Sequence, residues 1–175
     1  IRVVGDLAPN LPEAIPRLTA LFPEIEAVRA VARYGPAGGP AVAELTELLK
    51  DNNATVRWQA VRTLGKLRDS AISALPKIVD RLTADPDPLV REHAAEAVGD
   101  IGPGAAEGIP ALVKALQDPV AKVRRDAVRS LGQMGKAAEG VIAEVRKSEL
   151  DPDPEVSGAA TRAVRLIDPT ATRKH

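Results

Sequence analysis

The chain of 175 residues contains no cysteine, which excludes disulfide bonds, thiol nucleophiles and cysteine-ligated zinc. Aromatic residues are nearly absent, with one tryptophan, one tyrosine and one phenylalanine, although hydrophobic residues make up 45% of the sequence. Any hydrophobic core must therefore consist of alanine, valine, leucine and isoleucine. Side chains of this size suit helices that pack closely against one another.

The chain also lacks an excess of charge, because 24 lysines and arginines balance 24 aspartates and glutamates. This balance argues against a whole-chain electrostatic grip on nucleic acid or on an acidic membrane surface. No apolar run approaches the roughly 18 residues of a membrane span, and the N-terminus lacks the basic-then-apolar pattern of a signal peptide. We therefore expect a soluble protein without a membrane span, and both a cytoplasmic and a periplasmic location remain open.

Groups that support catalysis are scarce. The sequence has two histidines, His93 and His175, and the second is the final residue, so a nucleophile paired with a base is hard to build. His93 lies near Glu92 and Glu96, but without a second histidine these residues make a poor zinc or iron site. The glycine-rich stretches lack the lysine and hydroxyl groups of a nucleotide site. We expect no catalytic residues, no metal and no cofactor, and hence a protein that is not an enzyme.

An internal repeat is the strongest feature of the sequence. The blocks VRWQAVRTLG, VREHAAEAVG and VRRDAVRSLG share a Val-Arg start, a following alanine and a final glycine, and they begin at Val56, Val90 and Val123. A further copy closes on Gly35, a shorter interval before Gly65, and another starts at Val156 without the glycine. Blocks that recur at nearly constant intervals, as these do from Val56 to Val90 to Val123, predict a stacked repeat architecture.

Each repeat contains two predicted helices. The apolar residues of a block follow the spacing of one face of an α-helix, and a second apolar segment precedes each block. Proline in the first turn starts three of the preceding helices, and a tight acidic turn separates the two helices of a pair. The preceding helices are predicted over residues 15–21, 41–49, 75–82, 109–116 and 141–145.

The glycine at the end of each block predicts a left-handed residue that stops the helix. These glycines are Gly35, Gly65, Gly99 and Gly132. We attribute the shorter first interval to two deletions, one in the turn at residues 22–24 and one in the loop after Gly35.

These patterns predict an all-α fold, a right-handed α-α superhelix (a solenoid) of about five stacked helical hairpins that spans residues 1–175. The segment from Ile1 to Leu18 aligns without a gap on the segment from Ala95 to Leu112, so the chain is expected to begin within a second helix and to be part of a longer chain or larger complex. We assign the end of a truncated repeat to residues 1–9, repeats to 10–36, 37–69, 70–103, 104–136 and 137–169, and a tail to 170–175.

The repeats resemble HEAT repeats, particularly the short bacterial type related to phycobilisome-lyase repeats. The matching residues are the helix-one prolines Pro16, Pro76 and Pro110, the turn aspartates, and the Val-Arg pairs. The resemblance implies a ladder of polar contacts between the turn aspartate and the arginine of neighbouring repeats. Its members are Asp51, Arg57, Asp85, Arg91, Asp118, Arg124 and Asp151. We expect it to fail at both ends, where Ala27 and Ser157 stand at the arginine place.

The resemblance also implies that the second helices line the concave side of the solenoid. If three places of each block point outward, they form a column whose charge alternates from basic to acidic to basic along the repeats. The column comprises Trp58, Arg62, Glu92, His93, Glu96, Arg125 and Arg129, with Gln59, Asp126 and Arg162 at the remaining places. Two simpler interpretations are that the column is an ordinary solvated helix face and that Trp58 folds back over the preceding repeat.

We therefore expect a non-enzymatic scaffold that binds a protein or peptide partner on the column, in which Trp58 and Arg62 form an anchor. One alternative, which follows from the resemblance, is a chromophore lyase or a chaperone of chromophore proteins, but three aromatic residues can hardly build a bilin pocket. The other is a HEAT-like DNA-binding protein of the glycosylase type. The zero net charge and the acidic residues within the column argue against it, and we expect no nucleic acid partner.

Overall fold

The computed structural model of the protein describes residues 12–170, and all regular secondary structure in that range is helical. The half-helix expected over residues 1–9 and the last five residues of the expected tail lie outside the described residues. The α-helices are α1 Ile15–Thr19, α2 Ile25–Ala32, α3 Val42–Leu48, α4 Ala54–Lys66, α5 Leu75–Ala84, α6 Pro88–Ile101, α7 Ile109–Ala115, α8 Ala121–Met134, α9 Ile142–Lys147 and α10 Pro154–Ile167. Short 3-10 segments connect most of them, at Gly35–Ala41, Arg68–Ala74, Pro103–Gly108, Gly135–Val141 and Ser148–Leu150.

The helices form a stack of hairpins. Each odd-numbered helix packs against the even-numbered helix that follows it, and each even-numbered helix packs against the next even-numbered helix. A single continuous core of alanine, valine, leucine and isoleucine side chains, joined by Tyr34 and Met134, runs through the stack. The predicted all-α solenoid is confirmed, and the predicted bounds of the odd-numbered helices agree closely with the observed bounds.

The starts of the even-numbered helices follow from the acidic turns. Asn53, Asp87 and Asp153 are the N-caps of α4, α6 and α10, and each side chain accepts a hydrogen bond from the backbone amide two residues later. The turn aspartate lies two residues before the cap position and accepts a hydrogen bond from the amide of the residue at that position. These two side chains thus accept hydrogen bonds from backbone amides of the acidic turn and of the first helical turn, which have no partner within the helix.

The prediction that Gly65, Gly99 and Gly132 stop their helices is wrong. All three lie within helices, which continue for one or two residues beyond them. Glycine is needed there because neighbouring helices approach closely: a Cβ on Gly65 would lie 2.9 Å from the Cα of Ala97, and one on Gly132 would lie 2.9 Å from the Cα of Ala163. The described residues with positive φ are Gly35, Arg68, Gly102 and Gly135.

These four positions correct the register of the first repeat. They recur at nearly equal intervals along the chain, so Gly35 is equivalent to Arg68 and not to Gly65. In this register, two hydrogen bonds between stacked helices lie at equivalent positions. Thr63 Oγ1 donates to the Val28 carbonyl, and Ser130 Oγ donates to the Ala95 carbonyl.

The expected deletion after Gly35 is therefore absent. Instead, α2 begins late, with 8 residues where α4 has 13. In this register Glu24, and not Ala27, stands at the arginine place of the first repeat.

Candidate interaction surface on the even-numbered helices

An arginine ladder joins consecutive repeats along the acidic turns. The Nε and Nη2 atoms of Arg57 in α4 donate to the two carboxylate oxygens of Asp85 in the next turn, both at 2.8 Å. Arg91 in α6 makes the same two-pronged contact with Asp118 at 2.8 and 3.2 Å. The ladder is thus built of paired hydrogen bonds between charged groups, the strongest kind available to these side chains. The third pair is Arg124 with Asp151, at 2.8 and 2.8 Å.

Each ladder arginine also contacts its own repeat. The remaining nitrogen of Arg57, Nη1, donates to the carbonyl oxygens of Asp51 at 2.9 Å and Asn52 at 3.1 Å, and Arg91 and Arg124 repeat this pattern. One guanidinium therefore links the turn that precedes its helix to the turn of the following repeat. Because this arrangement recurs at three junctions, it is a structural device rather than a single reactive site.

Burial and pairing shift the pKa values of two ladder aspartates, Asp85 and Asp151. The side chain of Asp85 is fully buried, and desolvation raises its pKa. Hydrogen bonds from Arg57 and from the Asp87 amide, with the charges of Arg57 and Arg81, outweigh that effect and lower the pKa of Asp85 below its ordinary value. The hydrogen bond from Arg124 likewise lowers the pKa of Asp151. Both aspartates are charged partners at neutral pH.

Asp51 lies in the turn of the second repeat, where the preceding repeat supplies no arginine. Its Oδ1 atom accepts a hydrogen bond from the Asn53 amide at 2.7 Å, and among the described residues no arginine side chain donates to its carboxylate. The equivalent arginine place of α2 holds Glu24, and that of α10 holds Ser157.

Trp58 lies in a network that joins α4 to α6. Its indole stacks on the imidazole of His93 in the following repeat, with ring centroids 5.0 Å apart and an angle of 26° between the planes. His93 Nδ1 lies 3.1 Å from Glu96 Oε2, and Glu96 Oε1 lies 3.4 Å from Lys66 Nζ. Lys66 also donates to Asp100 at 2.5 Å. Two aromatic rings and two ion pairs thus connect these neighbouring helices.

The environment of Glu96 stabilises its charged form. The hydrogen bond with His93 and the charge of Lys66 lower the pKa of Glu96 to about 2, although desolvation opposes the shift. Glu96 is therefore a carboxylate at any physiological pH.

Arg125 is the centre of a second network, which joins α6, α8 and α10. Its guanidinium donates to both carboxylate oxygens of Asp126, at 2.9 and 3.1 Å, and to Glu155 at 2.9 Å, while Glu92 lies 3.5 Å away. The hydrogen bond to Asp126 is the main cause that raises the pKa of Arg125. Arg129 lies 3.4 Å from Asp126 and is more than half exposed.

The structure brings most of the column together, but it pairs the charges with one another. Trp58 is half-buried and stacks on His93 of the following repeat. Arg62 is exposed, and within residues 12–170 the structure records no contact between its guanidinium and the indole, which were expected to form a joint anchor. Gln59 and Asp126 do not point outward: each is only 6% exposed.

Sequence reasoning missed three residues of the networks around the column: Lys66, Asp100 and Glu155. Each belongs to an ion pair that joins adjacent helices through residues 30 or 34 positions apart. The repeat period is the one signal that could have found them, because it predicts which positions of adjacent helices meet.

Two other kinds of feature, a metal site and a membrane-spanning helix, can be considered for the described residues. Residues 12–170 contain no group of three or more histidine, aspartate or glutamate side chains placed to hold a metal ion. In the same range, each helix is too short or too polar to cross a bilayer.

Comparisons with known proteins agree with this architecture. The family model for HEAT repeats matches residues 11–99 and 75–165. The chain belongs to the HEAT repeat family. This HEAT repeat protein is 33% identical over 86 residues to a deoxyhypusine hydroxylase of Drosophila melanogaster, a match that covers 49% of the chain. It spans about a quarter, 27%, of the length of that relative.

Solved structures share the same fold. An engineered protein superposes with a TM-score of 0.70 and 25% identity, covering 96% of this HEAT repeat chain and 88% of the engineered one. A chain from the complex of CpcE and CpcF of phycocyanin lyase from Nostoc sp. PCC7120 gives a TM-score of 0.71 at 22% identity, covering 86% and 98% of the two chains. A designed armadillo repeat protein gives 0.64 at 20% identity, covering 95% and 91%.

Proposed function

We propose that this HEAT repeat protein is a non-enzymatic scaffold that binds a protein or peptide partner on the column of the even-numbered helices. The observation that carries the proposal is the stacked pair of Trp58 and His93. It forms an aromatic platform that is only partly covered and lies one helical turn from the exposed Arg62. Tryptophan and arginine are the residues that most often dominate the binding energy of protein interfaces.

The ion pairs of the surface support a binding role rather than a catalytic one. A general acid or base must exchange its proton near neutral pH, whereas the pKa of Glu96 is about 2 and hydrogen bonding raises that of Arg125 above its ordinary value. Such fixed charges suit recognition, because they present a constant electrostatic pattern to a partner.

The relatives bear on the proposal in two ways. The phycocyanin lyase neighbour is a complex of two proteins, which supports a protein partner for a chain of this fold. The deoxyhypusine hydroxylase relative is an enzyme by name, but the matched segment is 27% of its length. The hydroxylase activity named for that relative is therefore not part of the proposed function.

The first experiment identifies the partner. The protein is used as bait in extracts of its native cell, and bound proteins are identified by mass spectrometry and then purified for affinity measurements. A coloured species that copurifies with the bait would favour the chromophore lyase alternative over the scaffold.

The second experiment tests the site with that partner. Trp58→Ala is expected to weaken binding about 30-fold, which corresponds to about 2 kcal/mol. The matched control is Leu150→Ala, which removes an 88% exposed apolar side chain outside the column and should leave the affinity unchanged. If Trp58→Ala keeps its helical circular dichroism and binds as tightly as the parent, the column is not the binding surface.

A further inference from the structure

Three arginines line one open pocket at the junction of α8 and α10. The pocket has a volume of about 440 Å³, and its lining consists of Arg125, Arg129, Pro154, Glu155 and Arg162. We infer that this arginine pocket binds the carboxylate of an acidic side chain of the partner. The inference rests on the proposed function, because it names the chemistry that one part of the column recognises.

Arg129 and Arg162 are the binding groups of the pocket. They occupy equivalent positions of consecutive repeats, on neighbouring helices, so both guanidinium groups stand on the same side of the stack. Arg129 has one long contact, 3.4 Å to Asp126, and its side chain is 57% exposed. Arg162 is exposed and has no ion pair with another described residue. Two positively charged side chains therefore face one cavity, and the neighbouring carboxylates do not neutralise both of them.

Arg125 has a different role in the same pocket. Its guanidinium already donates to Asp126 and Glu155, so its hydrogen-bonding groups are largely used. Its contact with Glu155 also ties the first turn of α10 to α8. Arg125 thus fixes the spacing of the two helices that carry the binding arginines.

The pocket chemistry favours a carboxylate over a phosphate. Guanidinium groups bind both anions through paired hydrogen bonds. However, Glu155 and Asp126 already contact Arg125 and Arg129, so two carboxylates offset two of the three arginine charges, and the one remaining charge matches a singly charged carboxylate better than a doubly charged phosphate. The zero net charge of the whole chain further disfavours a polyanion such as a nucleic acid.

The test is a titration monitored by NMR of the arginine Nε–Hε groups in the full chain. Three probes are compared at equal ionic strength: a peptide of alternating glycine and glutamate, inorganic phosphate, and a single-stranded oligothymidine. We expect saturable shifts of the Arg129 and Arg162 signals with the glutamate peptide. Arg129→Gln and Arg162→Gln should each weaken its binding about tenfold.

The matched control is Arg165→Gln, which removes an exposed arginine from the same helix, α10, outside the pocket lining. It should change the peptide affinity by less than about twofold, since a screened surface charge contributes little. An equal loss in Arg165→Gln, or no saturable shift in the parent, would show diffuse attraction and overturn the inference. If phosphate or oligothymidine binds these two arginines more tightly than the glutamate peptide does, a carboxylate is not the preferred ligand.

A further arm separates this inference from the proposed function. The glutamate peptide should bind Trp58→Ala as it binds the parent, because Trp58 is two repeats away from the pocket. If Trp58→Ala binds both the peptide and the native partner normally, the proposed anchor fails while the pocket stands. If the native partner needs Trp58 but the peptide does not bind, the pocket fails while the scaffold function stands.

Discussion

The first junction of the stack differs from the three that follow it. Between α2 and α4, Glu24 occupies the arginine place and Ala32 occupies the place of the close-packed glycine. From α4 onwards each junction has an arginine–aspartate pair, and a glycine in the earlier helix lies against the next helix. Both kinds of junction nevertheless keep the same register.

The ladder is not needed for two repeats to stack. The first junction stacks through apolar side chains such as Val28 and Val61 and through the hydrogen bond from Thr63 to the Val28 carbonyl. Burial of apolar surface is therefore sufficient for stacking. A buried ion pair adds little net stability, since desolvation offsets its attraction, but it is costly to leave half of it unpaired. At the inner junctions the ladder therefore adds paired contacts to an association that apolar burial already provides.

The largest effect is expected from removing one half of a buried pair. Asp85→Ala leaves Arg57 buried without its carboxylate partner and should lower the free energy of unfolding by about 3 kcal/mol. Asp51→Ala is the matched control at the first junction, where the carboxylate caps a turn without an arginine. It should cost about 1 kcal/mol or less. Urea denaturation of both variants measures the difference, and equal losses would remove the distinction between the two kinds of junction.

A smaller effect is expected from adding a methyl group at an inner junction. Gly132→Ala places a Cβ 2.9 Å from the backbone of Ala163 and forces α8 and α10 apart, which should cost about 2 kcal/mol. Gly158→Ala is the control, because the nearest atom to its Cβ would be the flexible end of Arg162 at 3.6 Å. Better helix propensity should make it about 0.5–1 kcal/mol more stable. If thermal denaturation shows that both variants shift the melting temperature in the same direction, the close-packing role of Gly132 is contradicted.

The smallest effect concerns the residue with positive φ that ends the second repeat. Arg68 has a φ of 56° where the equivalent residues are Gly35, Gly102 and Gly135. Arg68→Gly should raise the free energy of unfolding by less than about 1 kcal/mol, because relief of backbone strain is partly offset by the greater entropy of the unfolded chain.

Gly102→Ala provides the opposite change at an equivalent position. Its φ of 92° and ψ of −162° are strained for any side chain, so the variant should melt at a lower temperature than the parent. A stabilised Gly102→Ala, or a destabilised Arg68→Gly, would show that these positions do not govern the ends of the even-numbered helices.

The periodic sequence was enough to predict the hairpins and their order, and the resemblance to HEAT repeats supplied the three arginine–aspartate pairs of the ladder. It misled where one residue type serves two purposes. Glycine ends helices and also permits close helix contacts, and the sequence pattern of Gly65 or Gly132 does not distinguish these uses. The wrong choice shifted the register of the first repeat and assigned Ala27 to the place that Glu24 occupies.

In the column too, the sequence predicted positions within one repeat but not the contacts between neighbouring repeats. Its residues were found from helical spacing, but their pairing was not, because Trp58 meets His93 and Arg125 meets Glu155 across junctions.

The sequence by itself therefore determined the secondary structure and the repeat architecture, since helical periodicity and caps are properties of short segments. Only the tertiary structure decided which charges are neutralised, which glycines touch a neighbouring helix and which arginines still face a cavity. Those properties depend on distances between helices that belong to different repeats, and small differences in packing distance change ion pairs and close contacts.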